Sequence, residues 1–86
     1  FYFKNKLLTL KNKYPKIIHE VRGKGLLLGL KLNVNQIKFI DNLTKNNLLT
    51  VKAAENVIRL LPPLNVNKKE IDMAVAIIDK VCKNYK

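Results

Sequence analysis

Apolar residues recur at Phe3, Leu7, Leu10 and Tyr14, at spacings of four, three and four, with lysines and asparagines between them. That is one stripe of an amphipathic helix, and Tyr14-Pro15 stops it because the residue before proline disfavours helical angles. Ile17 to Glu20 lead into Val21-Arg22-Gly23-Lys24-Gly25. Leu26 to Leu32 then reads as a strand, entered through a glycine turn or bulge. Gly29 inside that strand predicts close approach of another backbone. Asn35 to Lys45 reads as a second helix with Ile37, Ile40 and Leu43 on one side, ended by Asn46-Asn47. Asn47 suits a left-handed cap. Leu48 to Val51 is a short strand, and Lys52 to Asn56 a turn. Val57, Ile58, Leu60 and Leu61 read as a strand buried on both faces, or nearly so, which Pro62-Pro63 ends. Asn67 with Glu70 forms a capping-box pattern before a last helical stripe of Ile71, Ala74, Val75, Ile78, Val81, Cys82 and Tyr85. The expected order is helix, strand, helix, strand, strand, helix, in a single domain over residues 1–86.

One guanidinium is set into the most apolar strand. Arg59 stands between Ile58 and Leu60. A charge in such a run costs desolvation unless an anion meets it. Either the strand is an edge strand with Arg59 turned to water, or Arg59 binds a carboxylate, internal or from a ligand.

Composition narrows the classes. The net charge is +11, from 17 basic and 6 acidic residues in 86. Such a balance permits nonspecific attraction to polyanions. The lysines are nevertheless scattered along every segment. Only Arg22 and Arg59 are arginine, the preferred reader of phosphates and bases. No specific nucleic acid is expected as a partner. No apolar run approaches the roughly 20 residues of a membrane helix, so no membrane is expected either. One cysteine, Cys82, excludes an internal disulfide and suits a reducing cytoplasm. Its place on a helical stripe makes it a small core residue. His19 is the single histidine, and in a strand Glu20 beside it would point to the other face, so no base and orienting carboxylate follow from their adjacency. Gly23-Lys24-Gly25 lacks the spacing of a phosphate loop.

Two strings carry a resemblance. Leu48-Leu49-Thr50-Val51 with Glu55 through Asn65, and Val21 through Leu32, resemble the C-terminal part of class III pyridoxal-phosphate aminotransferases, in the family's order and spacing. The likeness is greatest to the acetylornithine-type branch and runs from about Tyr14 to the end. It implies an α+β fold, a small antiparallel sheet backed by helices, as in the C-terminal small domain of fold-type I enzymes. It implies amino transfer from N-acetylornithine to 2-oxoglutarate, in arginine biosynthesis, by an intact cytoplasmic enzyme. That enzyme would be a homodimer with a large domain holding pyridoxal 5'-phosphate. At the family's motif position, Arg59 is implied to pair with the α-carboxylate of the amino-acid substrate. No catalytic role is implied for Arg22 or Lys24.

None of the fifteen lysines lies in a segment resembling the cofactor-lysine motif, and nothing resembles the large domain. The chain is therefore expected to be a piece of a longer polypeptide, binding no cofactor and performing no transamination by itself. Its start at Phe1 fits that expectation. A decayed gene fragment, or a stand-alone basic binding module, are the alternatives. The resemblance does not choose among acetylornithine, succinylornithine, ornithine and 4-aminobutyrate as donor. The family tends to have proline and glycine where Lys52 and Ala54 stand, so a less preorganised turn is expected there. Family members usually carry acids where Lys68 and Lys69 stand, the first turn of the last helix, which the helix dipole favours.

Overall fold

A computed structural model describes residues 2–24, 27–48, 50–60 and 67–85. Helix α1 spans Tyr2–Lys13, strand β1 Ile18–Lys24 and strand β2 Leu27–Leu32. Helix α2 follows at Gln36–Lys45, strand β3 at Thr50–Ala53, strand β4 at Val57–Leu60 and helix α3 at Lys68–Lys83. The strands form one antiparallel sheet in the order β1-β2-β4-β3. The α+β expectation holds. Pro62-Pro63, expected to end the β4 strand, and Gly25 lie outside the described residues.

Alternation along the strands sorts the two faces of the sheet. Leu28, Leu30 and Leu32 of β2, with Ile58 and Leu60 of β4, are buried on one face. There α1 packs against β1, α2 packs against β3 and β4, and α3 packs on both other helices. Phe3, Leu7 and Leu10 of α1 are buried, as the stripe predicted. On α3, Ile71, Ile78, Val81 and Cys82 are buried. The Asn67 side chain accepts from the Glu70 backbone N–H at 2.9 Å, the expected N-cap. Asn47 takes a φ of 67°, the left-handed conformation expected after α2.

Lys52 and Ala53, expected in a turn, belong to β3, and two further expectations fail for identifiable reasons. The residues before the Leu27–Leu32 strand are a strand themselves, and the sheet has four members. Ile18 and Val21, three positions apart, both face the core because the register between β1 and β2 shifts between Ile18 and Glu20. A bulge of this kind resets the alternation by one residue, which hides the strand from a period-2 reading. On α2 the buried side chains are Phe39 and Leu43, with Ile40 half-buried, while Ile37 is 62% exposed. Phe39 and Leu43 stand one helical turn apart. Ile37 lies two positions before Phe39, about 200° around the helix.

Candidate functional site

Pairing across the sheet places four residues in one row: Arg22 on β1, Gly29 on β2, Arg59 on β4 and Val51 on β3. They share the face opposite the helices. Neighbouring strands lie ~4.8 Å apart, so the backbones carrying the two arginines are separated by about 10 Å, with glycine between them. Here β4 is an interior strand, paired on both sides. The edge-strand reading of Arg59 is therefore wrong, although its side chain is exposed. Both arginines, Gly23, Gly29, Ala54 and Val57 help line a hollow of about 460 Å³.

The two guanidinium groups differ in their company. Arg22 Nη1 donates to Glu55 Oε2 at 3.1 Å, and its Nε lies 3.4 Å from Glu20 Oε1. The hydrogen bond to Glu55, with Glu20 adding to it, raises the Arg22 pKa. The same bond lowers that of Glu55. Arg22 is thus flanked by two carboxylates. Arg59 makes no ion pair among the described residues. One face of the sheet therefore carries a guanidinium paired with carboxylates and, two strands away, a solvent-exposed one without an ion pair among the described residues, beside a hollow. A carboxylate suits that place, because a planar guanidinium can donate two parallel hydrogen bonds to it.

The approach to Arg59 is held by side chains rather than by turn sequence. Ala54–Asn56 form a tight turn between β3 and β4, with positive φ at Glu55 (60°) and Asn56 (62°). Asn56 Nδ2 donates to the carbonyls of Leu32 and Val34, each at 2.8 Å. Gln36 Nε2 donates to the carbonyls of Ala53 at 3.1 Å and Val57 at 3.0 Å. Where Lys52 and Ala54 predicted a looser turn, these four bonds tie the segment to the end of β2 and the start of α2. Ala54 itself needs no positive φ, so glycine is not required there.

The other residues singled out from sequence lie apart from this arrangement. His19 is exposed and does not line the hollow. The Lys24 side chain lies outside the described residues. Cys82 is buried, and burial pushes its thiol up to about 12. No cluster of three or more metal-ligating side chains occurs among the described residues. No helix among them is long and apolar enough to cross a membrane. Sequence reasoning missed Glu55, Asn56 and Gln36. Asparagine immediately before a strand, with its tolerance of left-handed angles, was the one available signal.

Residues 1–82 match the family model of aminotransferase class-III. The chain is 45% identical over 82 residues to an acetylornithine aminotransferase of Clostridium acetobutylicum, covering 95% of this chain and 21% of that protein. With the acetylornithine aminotransferase of Agrobacterium fabrum the identity is 42% over 77 residues, 90% of this chain and 19% of the relative. The chain thus spans about a fifth of the length of these curated relatives. The crystal structure of acetylornithine aminotransferase from Elizabethkingia anophelis superimposes with a TM-score of 0.89 at 30% identity, covering 98% of this chain and 23% of that one. Ornithine aminotransferase from Plasmodium yoelii gives 0.87 at 33% identity, with the same coverage.

Proposed function

The chain belongs to the class III aminotransferase family, and on that premise we propose that it is the carboxylate-anchoring end of an acetylornithine-type enzyme, with Arg59 as the anchor. The observation that carries this reading is the contrast between the two arginines. Arg22 has its charge met at Glu20 and Glu55, whereas Arg59 stands in the same row, exposed to solvent and without an ion pair among the described residues. Its interior strand is paired on both sides, which fixes the point on the sheet from which the side chain reaches. A carboxylate held by two parallel bonds has its neighbouring carbon and amino group oriented as well. This supplies the positioning that amino transfer requires.

The family uses pyridoxal phosphate, which supplies the electron sink for amino transfer. A lysine that carries it needs a shielded pocket. Among the described residues no charged residue is buried, lysines included. That supports assigning the cofactor to the rest of the enzyme. Its site, the large domain and the dimer partner belong in this proposal to the remainder of an intact enzyme. In that enzyme the reaction is amino transfer from an N-acylated ornithine to 2-oxoglutarate.

The test is Arg59→Lys in the full-length enzyme. A charge-assisted hydrogen bond contributes ~1.5–3 kcal/mol, so the KM for both amino donor and 2-oxo acid should rise about 10- to 100-fold. Cofactor affinity should stay unchanged. A KM within twofold of the parent would remove Arg59 from the role.

A further inference from the structure

Resting on that reading of Arg59, we infer that Gly29 is a positioning residue for the anchor, acting through the backbone of β4. Gly29 faces Arg59 across the β2–β4 pairing and stands between the two arginines in the row. A Cβ at this position would lie 3.0 Å from Val57 Cγ1 and 3.2 Å from the Ile58 carbonyl oxygen. The first contact can give, since a valine side chain can turn. The second cannot give without moving the peptide that joins Ile58 to Arg59.

Val57 shows what the missing side chain allows. It shares the open face with Arg59, yet is 8% exposed. Its methyl group leans over the space a side chain at position 29 would occupy. Glycine in this strand thus lets β4 approach closely, at a known cost in strand propensity. That approach sets where the Arg59 backbone sits relative to Arg22 and the hollow. Alanine would lift β4 at the residue that binds the carboxylate and leave the helix-covered face of the sheet largely as it is.

Four full-length enzymes test this: parent, Gly29→Ala, Arg59→Lys and the double variant. Gly29→Ala should raise the KM for amino donor and 2-oxo acid about tenfold, with kcat and cofactor affinity within twofold. In the Arg59→Lys background the same change should add less than twofold, because the geometry it disturbs is no longer in use. An equal tenfold effect in both backgrounds would overturn the inference, as would an unchanged KM in Gly29→Ala. If Arg59→Lys leaves KM unchanged, the anchoring role fails and the inference with it. If Arg59→Lys raises KM and Gly29→Ala does not, only the inference fails. Should Gly29→Ala not fold, Gly29→Ala with Val57→Ala removes the Cγ1 contact and leaves the carbonyl contact. That pair should raise KM at least threefold over Val57→Ala alone, and equality between them would overturn the role of Gly29.

Discussion

Asn56 joins fold to site most directly, and its replacement has a magnitude that follows from the structure. Asn56→Ala removes two hydrogen bonds of 2.8 Å, to the Leu32 and Val34 carbonyls. At about 1 kcal/mol each, that is ~2 kcal/mol. Alanine must also hold a φ of 62°, which costs roughly 1 kcal/mol more. The sum is about 3 kcal/mol. A unit of this size that folds by itself has a total stability of roughly 4–13 kcal/mol, and the loss is a large share of such a value. Asn56→Gly loses the bonds but not the backbone freedom, and should cost about 2 kcal/mol. Asn56→Asp keeps the left-handed preference but points an acceptor at two carbonyl oxygens, and should be the worst of the three. Urea denaturation followed by far-UV circular dichroism measures all three against the parent. The midpoint should fall in the order Gly, Ala, Asp with little change in slope. Heating should show the alanine variant about 12–24 °C below the parent. If alanine lies within 0.5 kcal/mol of the parent, or aspartate is no worse than glycine, the two carbonyl bonds do not hold the turn.

Further expectations are open to direct measurement. With its thiol pushed up to about 12 by burial, Cys82 should carry ~1 thiolate in 10⁴ at pH 8; a disulfide reagent should label it in urea and hardly at all in the folded state. Asp79 is held below its ordinary 3.8 by the Tyr14 hydroxyl and then by Lys13, whose Nζ donates at 3.0 Å. Its contribution to stability is therefore complete above that value and is lost as pH falls through the folded value. Asp79→Asn should lie below the parent at pH 7 and converge with it in acid, and a gap independent of pH would refute the assignment. Thr50 Oγ1 is buried with no hydrogen-bond partner among the described residues. Thr50→Val should therefore raise stability by about 1 kcal/mol in thermal melts, and a loss would show that the hydroxyl is satisfied.

Much of this was legible along the chain where the signal is local. The α1 and α3 stripes, the Asn67 cap and the left-handed Asn47 each depend on residues within a few positions of one another. The apolar character of β4 and its one charge could be read directly. Its interior position could not, because strand order is set by partners far away in sequence. The β1 strand was hidden by the register shift near Glu20. On α2 the aromatic Phe39 took the core position that an isoleucine stripe assigned to Ile37. Gly29 announced a close approach, and the Ile58 carbonyl supplies it. The charge balance of the site was the least legible part. The Arg22–Glu55 pair spans 33 positions, and nothing in either local pattern links them.

The order β1-β2-β4-β3 also bears on synthesis. When β1 and β2 have left the ribosome, they can pair with each other as a hairpin. The second edge of β2, rich in leucine, has to wait for Val57–Leu60, and α2 and β3 are made in the meantime. During that interval the nascent chain presents an unpaired apolar strand, a template for pairing with other chains. Slow translation between α2 and β4 lengthens the exposure. Chaperone demand and loss to aggregates should therefore rise with the time spent translating that interval.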